Sequence, residues 1–229
     1  MNEKPEPAPG VLYIVGTPIG NMGDLSPRAK SILQKVSVIA CEDTRHSGLL
    51  LKKLGIKSNL VSFHKNNYEK RISSLLKTLK EEKSIALISD AGLPGISDPG
   101  EKLVSSAWSF GFEVICIPGP CAATTALVSS GLPCNRFCFE GFLPKIGNER
   151  KTRLKEIALE ERTTIIFEGP HRIIKLLKEL KNEYPSISIS KIRFLEKEGL
   201  INIPRTKGGT RELTSKDIDI IRRILHLQE

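Results

Sequence analysis

The sequence lacks any long hydrophobic run and any recognisable export signal. No apolar stretch approaches the roughly 20 residues that a membrane-spanning helix needs. The first ten residues, MNEKPEPAPG, are polar and rich in proline, without the apolar core of a signal peptide. We therefore expect a cytoplasmic protein that does not associate with a membrane.

The sequence also lacks paired cysteine motifs. It has 5 cysteines, an odd number, and no two are separated by two residues. Cys134 and Cys138 come nearest to zinc-ligand spacing, but Phe137 and Phe139 flank the second cysteine in what reads as a strand. The pattern favours buried, reduced thiols, and we expect no metal site.

Acidic residues are in deficit. The chain of 229 residues has 35 Lys and Arg against 26 Asp and Glu, a net charge of +9, which favours a polyanionic partner. Its hydrophobic content of 39% is ordinary for a globular protein, and its length suits one large or two small domains.

Apolar runs alternate with helical patterns over residues 11–130. Continuously apolar runs indicate strands that are buried on both faces, and their alternation with helices indicates a parallel sheet. Ser26 before Pro27 is typical of a helix N-terminus. The predicted strands are VLYIVG, VSVIAC, NLVSF, SIALIS and EVICIP, and the predicted helices span residues 27–33, 69–79 and 101–110.

A turn at residues 131–133 separates this unit from a shorter α/β pattern. Two strands, at residues 137–139 and 163–167, are predicted there, with helices at 148–159 and 172–181. Apolar strand patterns then stop, and helices at 190–198 and 215–227 flank a loop at 204–211. The predicted organisation is a disordered tail (1–9), an α/β domain (10–132), a partial second α/β domain (133–182) and a C-terminal segment (183–229).

Three loops rich in glycine and proline follow strands of the first domain: GTPIGN (16–21), SDAGLPGISDPG (89–100) and PGPCAA (118–123). Ligands of open α/β sheets bind outside the carboxyl ends of the strands, where glycine lets backbone approach a ligand. The spacing matches neither of the glycine motifs that bind nucleoside triphosphates or NAD. Tight turns without a ligand are the alternative interpretation.

The motifs VGTPIGN, ACEDTRHS, SDAGLPGISDPG, IPGPCAATTAL, FCFEGFLPK and FEGPHR occur in the order and spacing of one family. Over about residues 10–180 the chain resembles ribosomal RNA small subunit methyltransferase I, within the tetrapyrrole methylase superfamily. The resemblance implies two α/β domains, S-adenosylmethionine as cofactor and a homodimer. It also implies that the substrate is the ribose 2'-hydroxyl of a cytidine in 16S ribosomal RNA, within the 30S subunit.

The same resemblance implies which residues bind the cofactor. From the first domain these are Asp90, Ala91, Gly92, Leu93, Pro94, Gly95, Ser97, Asp98, Pro118, Gly119, Pro120 and Ala122, and from the second Phe142, Leu143 and Pro144. The family usually has SDAGTP and ESPHR, so Leu93 and Gly169 each stand where a hydroxyl is usual.

Methyl transfer to a hydroxyl needs a positioned proton acceptor. Among the polar residues of EDTRH and EGPHR, we predict Asp43 and Glu168 as acceptors. Arg45 and Arg172 are predicted to clamp phosphate or carboxylate groups, which suit the guanidinium fork. For Asp43, an N-cap of a helix with a salt bridge to Arg45 is the alternative.

The last 45 or so residues resemble a different family, the MerR-type winged-helix DNA binders. The resemblance rests on IRFLEKEGL followed by PRTKGGTR. It implies that Ser190, Lys191 and Arg193 face a DNA groove, and that Arg205, Lys207 and Arg211 contact phosphates. The helix at residues 172–183 suits either family.

We therefore predict an α/β fold with a tetrapyrrole-methylase-like parallel sheet domain, a truncated second α/β domain and a winged-helix-like C-terminal segment. The predicted function is 2'-O-methylation of ribosomal RNA. The alternatives are a MerR-type transcriptional regulator built on a methylase-like scaffold, or an inactive chimera. Tetrapyrrole methylation is less favoured, because the EDTRH and SFH runs resemble the RNA branch.

Overall fold

The chain divides into two compact units, Met1–Cys121 (unit 1) and Ala122–Glu229 (unit 2). The structure, a computed structural model, describes residues 5–183, with side chains as far as residue 180. The division between the units lies after Cys121, earlier than the predicted boundary after residue 132.

Unit 1 is built on a parallel sheet, which confirms the predicted fold class. Its strand order is β3-β2-β4-β1-β5, and every neighbouring pair is parallel. All five predicted strands are present: β1 (Leu12–Val15), β2 (Val38–Cys41), β3 (Leu60–Ser62), β4 (Ile85–Ile88) and β5 (Val114–Ile117).

Helices connect these strands. As predicted, Ser26 caps the first one, since its hydroxyl accepts a hydrogen bond from the Ala29 N–H at 3.1 Å, and Pro27 occupies the first turn. A short 3-10 helix, Met22–Asp24, precedes it. The α-helices of unit 1 are α1 (Pro27–Lys35), α2 (Thr44–Lys53), α3 (Tyr68–Lys80) and α4 (Gly100–Ser109).

Both faces of the sheet are covered, as the continuously apolar strands require. Tyr13 and Val15 of β1 pack on one face, in a core that includes Ile32 of α1. Leu12 and Ile14 alternate onto the other face, where the core includes Leu79 of α3 and Leu103 of α4. The loops that follow the strands lie beyond these two core layers, at the ends of the strands.

Residues 5–9, part of the predicted disordered tail, contact the first domain in the structure. The Ala8 N–H donates a 2.8 Å hydrogen bond to the Tyr13 hydroxyl, and the Glu6 carboxylate pairs with Arg28. These contacts fix the segment to β1 and α1, although its composition is typical of a tail.

Unit 2 begins with α5 (Ala122–Ser129) and continues with β6 (Phe137–Phe142), α6 (Gly147–Ala158), β7 (Thr163–Phe167) and α7 (Ile173–Glu183). Strands β6 and β7 are parallel, with an irregularity in register between Phe139 and Gly141. Within residues 122–183 the sheet of unit 2 has these two strands. Its core joins Leu143, Leu154 and Ile157 to Ile173 and Leu176 of α7.

The predicted elements at 190–198, 204–211 and 215–227 lie outside the described residues. Among the helices of residues 5–183, none is both long and apolar enough to cross a membrane.

Candidate functional site

The first two glycine-rich loops are joined at the carboxyl end of the sheet of unit 1. Thr17 and Gly92 exchange backbone hydrogen bonds, with N···O distances of 2.9 and 3.1 Å. The fully buried Thr17 hydroxyl donates to the Ser89 carbonyl oxygen at 3.2 Å. A side-chain hydroxyl and a backbone bridge therefore link the loop after β1 to the loop after β4.

The third loop packs against the first without intervening side chains. A Cβ added at Gly16 would lie 2.9 Å from the Gly119 Cα, a distance that Cβ atoms do not tolerate. Gly92 has a φ of +83°, and a Cβ there would lie 3.4 Å from the Pro120 carbonyl oxygen. The three loops thus meet through backbone, as expected where backbone forms a ligand site.

Asp98 fixes the second loop. Its carboxylate accepts hydrogen bonds from the Gly95 N–H at 2.8 and 3.0 Å, and from the Gly100 N–H at 2.7 Å. The segment from Gly95 to Gly100 includes two positive φ values, +89° at Gly95 and +69° at Ser97. Burial raises the pKa of Asp98, and the backbone hydrogen bonds oppose that shift.

The structure therefore brings most of the predicted cofactor residues, 90–98 and 118–120, to one edge of unit 1. Ala122, Phe142, Leu143 and Pro144 belong to unit 2. Leu143 is buried in the core of unit 2, and the Pro144 carbonyl oxygen accepts a 2.8 Å hydrogen bond from Arg150. Whether these four residues contact a cofactor stays a prediction.

A cleft of about 480 Å³ lies beside these loops, over the carboxyl ends of β2, β3 and β4. Asp90 belongs both to the cleft and to the second loop, and its carboxylate accepts a 3.2 Å hydrogen bond from the Asp43 N–H. The cleft is lined by polar residues: Glu42, Asp43, Thr44, Arg45, Ser62, His64, Lys65, Asn66 and Asp90.

Asp43 caps helix α2 and pairs with Arg45, as the alternative interpretation of the sequence has it. Its Oδ1 accepts hydrogen bonds from the Arg45 N–H at 2.8 Å and Nε at 3.1 Å, while Oδ2 accepts from Nη2 at 2.7 Å. These bonds lower the pKa of Asp43 well below its usual range. The Arg45 side chain is 89% exposed, so its remaining N–H groups face solvent.

Glu168 and Arg172 form the corresponding pair in unit 2. Glu168 is buried, and its Oε1 accepts from the Gly169 N–H at 2.9 Å and from Arg172 Nε at 2.6 Å. Arg150 lies 3.5 Å from the other carboxylate oxygen and also binds Glu179 of α7, at 2.7 Å. In each unit, an arginine that was predicted to clamp a phosphate or carboxylate group pairs with the predicted acceptor and neutralises its charge.

Residues 11–191 match the family described as Tetrapyrrole (Corrin/Porphyrin) Methylases. The chain belongs to this family. Residues 174–229 match a second family, described as MerR HTH family regulatory protein, so residues 174–191 fall within both matches. The prediction of two resemblances within one chain is confirmed.

The chain is similar to proteins named ribosomal RNA small subunit methyltransferase I. The relative from Escherichia coli O157:H7 is 49% identical over 171 residues, which is 75% of this chain and 60% of the relative. The Synechocystis relative is 49% identical over 172 residues, 75% of this chain and 62% of the relative. The Thermotoga maritima relative is 47% identical over 171 residues, 75% of this chain and 77% of the relative.

The chain thus spans about 60% of the length of most of these relatives. A solved structure, uroporphyrin-III-C-methyltransferase from Thermus thermophilus, aligns with a TM-score of 0.55 at 21% identity. The alignment covers 77% of this chain and 75% of that one, and it supports the fold alone.

Two charged residues of the site and of unit 2 were not predicted from the sequence. Glu42, beside the chosen Asp43, lines the cleft, and the pKa of its carboxyl is raised by partial desolvation there and by the charges of Asp90 and Asp98. Arg150, only 4% exposed, anchors unit 2. A charged residue inside a helix pattern gives no sign of burial in the sequence, so Arg150 could not have been found there.

The predicted nucleic-acid residues Lys191, Arg193, Arg205, Lys207 and Arg211 lie outside the described residues, as does Ser190. Within residues 5–183, no group of three or more His, Cys, Asp or Glu side chains is arranged to hold a metal ion.

Proposed function

We propose that the chain binds S-adenosylmethionine and methylates the 2'-hydroxyl of a cytidine in 16S ribosomal RNA. One observation carries this proposal: three glycine-rich loops contact one another through their backbone at the carboxyl ends of the strands, beside a polar cleft. The relatives named ribosomal RNA small subunit methyltransferase I support ribosomal RNA as the substrate class.

The loops of unit 1 suit this cofactor. Their small residues and positive φ values leave backbone N–H and C=O groups, rather than side chains, at the edge of the sheet. When bound, the cofactor supplies an electrophilic methyl group on a sulfonium. We propose that residues 90–98 and 118–120 hold it, with Thr17 and Asp98 fixing the loops that make the contacts.

The cleft beside the loops is the proposed site for the acceptor nucleotide. Arg45 and Lys65 line the cleft together with three carboxylates, and we propose that these two cations contact RNA phosphates. Asp43 orients the Arg45 guanidinium, and we propose that this pair positions the RNA backbone. In unit 2, Glu168 orients Arg172, whose side chain is 33% exposed, for the same purpose.

The wider setting is proposed on the same grounds. We propose that the chain acts on the 30S subunit, because the relatives are named for the small ribosomal subunit. That it does so as a cytoplasmic homodimer is what the family resemblance of the sequence implies. Sedimentation of the purified chain, with and without 30S particles, tests both the dimer and the partner.

Calorimetry with S-adenosylmethionine is the first test of function. Binding with a dissociation constant in the micromolar range is the expected result, and absence of heat at high micromolar cofactor would contradict the proposal. Transfer of labelled methyl to 30S particles that lack the modification is the second test. Nuclease digestion of the product should place the label on a ribose 2'-oxygen.

A second candidate function, DNA binding, is favoured by the match of residues 174–229 to the MerR family. In this case the chain should shift duplex DNA in a salt-dependent manner. Arg193→Ala and Arg211→Ala should each weaken that shift, and an unchanged shift in both variants would exclude the winged-helix mode of binding.

A further inference from the structure

We propose that Glu42 is the catalytic residue that accepts the proton of the acceptor hydroxyl. The proposal rests on the proposed methyltransferase function and names the residue that performs its proton transfer. The role requires a carboxylate at the cleft or the loops with oxygens available to a substrate.

Neither Asp43 nor Asp98 has a carboxylate oxygen that is free of hydrogen bonds. Both oxygens of Asp43 accept hydrogen bonds from Arg45, and the resulting low pKa makes Asp43 a weak base. Both oxygens of Asp98 accept from the Gly95 N–H, and one also accepts from the Gly100 N–H. Each carboxylate already fixes its own loop.

Glu168 and Asp90 are also engaged. Glu168 is 1% exposed and lies between Arg172 and Arg150 in unit 2, so a substrate hydroxyl has no access to it. One oxygen of Asp90 accepts the Asp43 N–H and thereby connects the end of β2 to the loop after β4. We infer that Asp90 positions the cleft at its border with the loops.

Glu42 differs from all four. Within the described part of the chain its carboxylate has no hydrogen bond and no ion pair, although it lines the cleft directly after β2. A hydroxyl group that binds in the cleft as the methyl acceptor can therefore donate its proton to Glu42 without breaking a hydrogen bond of the protein.

The charges around Glu42 favour this role. Asp43 belongs to the segment after β2, Asp90 and Asp98 to the loop after β4, and His64 to the segment after β3. Arg45 and Lys65 also line the cleft. Partial desolvation of its carboxyl and the charges of the three aspartates raise the pKa of Glu42, with His64 opposing them, although the residue as a whole is exposed. A carboxylate with a raised pKa is a stronger base, provided that it is still ionised at the working pH.

The proposed step balances as follows. The acceptor oxygen forms a bond to the methyl carbon of the sulfonium donor, and the carbon–sulfur bond breaks with its electron pair remaining on sulfur. The hydroxyl proton passes to the Glu42 carboxylate and then to solvent. The products are a methyl ether, a neutral thioether and one proton.

Single-turnover methylation of 30S particles tests the proposal, using Glu42→Gln with Glu82→Gln as the matched control. Glu82 is an exposed residue in the turn before β4, at the opposite edge of the sheet. We expect Glu42→Gln to slow methyl transfer by about 100-fold or more, the size of effect that a general base contributes. Its affinities for S-adenosylmethionine and for the particle, measured by calorimetry and sedimentation, should change by less than about threefold.

The pH profile and a carboxyl titration separate a proton acceptor from a structural residue. The wild-type rate should rise with pH as Glu42 ionises, Glu42→Asp should retain that rise at a lower rate, and Glu42→Gln should lose it. Carbon-13 NMR of the cofactor-free protein should show the Glu42 carboxyl titrating above the ordinary value of about 4.3.

The outcomes distinguish this inference from the proposed function. A wild-type chain that methylates RNA alongside an equally active Glu42→Gln variant overturns the role of Glu42 alone. A wild-type chain that binds no S-adenosylmethionine overturns the proposed function. Loss of cofactor affinity in Glu42→Gln, with wild-type methylation intact, would assign Glu42 to cofactor binding instead of proton transfer.

Discussion

At the scale of single residues, Asp98 stabilises its loop by hydrogen bonds, while the burial of its charge opposes folding. It accepts backbone hydrogen bonds from Gly95 and Gly100 across a segment with positive φ values. Removing these acceptors by Asp98→Ala should lower the free energy of unfolding by about 2 kcal/mol, typical for bonds to a charged group. Asp98→Asn keeps one acceptor oxygen, so we expect a loss of less than about 1 kcal/mol in urea unfolding at pH 7.

The pH dependence of Asp98→Asn provides a sharper test. Burial raises the pKa of Asp98, so the folded state binds its proton more tightly than the unfolded state does. The associated stability is fully present below the unfolded pKa of about 3.9 and is lost as the pH rises through the folded value. The asparagine variant has no such loss, so its stability relative to wild type should improve between about pH 4 and pH 7. A pH-independent difference would contradict the pKa shift.

Which of two adjacent acidic residues has free oxygens was not predictable. Glu42 and Asp43 have similar chemistry, and the sequence indicates only that both follow a strand. The difference arises because Asp43 has extended φ and ψ angles at the start of α2, which bring its carboxylate to the Arg45 N–H. The sequence interpretation included that N-cap as an alternative, but it had no means of excluding a catalytic Asp43.

At the scale of elements, the contact between Gly16 and Gly119 should tolerate no side chain. In Gly16→Ala the new Cβ would meet the Gly119 Cα at 2.9 Å, and backbone would have to move. We expect a loss of about 1 to 3 kcal/mol in unfolding free energy, as for other overpacked sites. Calorimetry should also show weaker binding of S-adenosylmethionine, because the loops that we propose as its site would shift.

Gly48→Ala is the matched control. Gly48 lies within α2, and an added Cβ there would meet Leu60 Cδ1 at an ordinary 3.6 Å. Alanine is favoured over glycine inside helices by about 0.5 to 1 kcal/mol, so this variant should be more stable than wild type. Equal effects of the two alanines would show that the Gly16 contact is not tight.

Arg150 should be the residue on which unit 2 depends most strongly. Its guanidinium is 4% exposed, lies 3.5 Å from buried Glu168 and binds Glu179 of α7 and the Pro144 carbonyl oxygen. Removing Arg150 leaves one buried oxygen of Glu168 and the Pro144 carbonyl oxygen without their partner, while Arg172 still pairs with Glu168, so we expect a cost of about 1 to 3 kcal/mol. In Arg150→Ala, hydrogen exchange should therefore accelerate in α6, β7 and α7.

Lys151→Ala provides the control for that prediction. Lys151 is the exposed neighbour of Arg150 on α6, and exposed substitutions of this kind change stability by less than about 0.5 kcal/mol. Exchange in β1 and β4 should remain slow in both variants, since these strands belong to unit 1. Unchanged exchange in α7 of Arg150→Ala would contradict the role of the buried network.

The strands were predictable because hydrophobicity has a strong local signal, and all seven appear where the apolar runs lie. Strand β6 extends three residues beyond its predicted end at Phe139, through an irregularity at Gly141, whose φ is +60°. Such an irregularity depends on pairing with β7, a contact that the local pattern does not contain. Helix α5 was not predicted, because a helix that is apolar over most of its length shows no spacing of apolar against polar residues.

At the scale of the whole molecule, helix α7 connects the two family matches, which overlap over residues 174–191. In the structure its residues Leu176, Leu177 and Leu180 pack with the core of unit 2, and Glu179 binds Arg150. The described part of α7 is therefore integrated into unit 2. The sequence allowed two interpretations of this helix because its apolar spacing suits either partner.

The net charge of +9 leads to a prediction about the intact chain and its RNA. Each phosphate that the protein neutralises releases counterions, so the logarithm of the affinity for 30S particles should fall linearly with the logarithm of salt concentration. Arg45, 89% exposed at the cleft, is our proposed phosphate contact. Arg45→Ala should reduce the slope by about one or more, because the change removes one cation and leaves Asp43 without its partner.

Lys83→Ala is the control, since Lys83 pairs with Glu81 and precedes β4 at the opposite edge of the sheet. Its slope should equal that of wild type. The same titration with duplex DNA separates the two candidate functions, because winged-helix binding would be insensitive to Arg45→Ala and sensitive to Arg193→Ala. If the affinity for 30S particles falls in Arg193→Ala but not in Arg45→Ala, the RNA does not contact the cleft. That result would also contradict the role of Glu42 as proton acceptor, because the acceptor hydroxyl would not lie in the cleft.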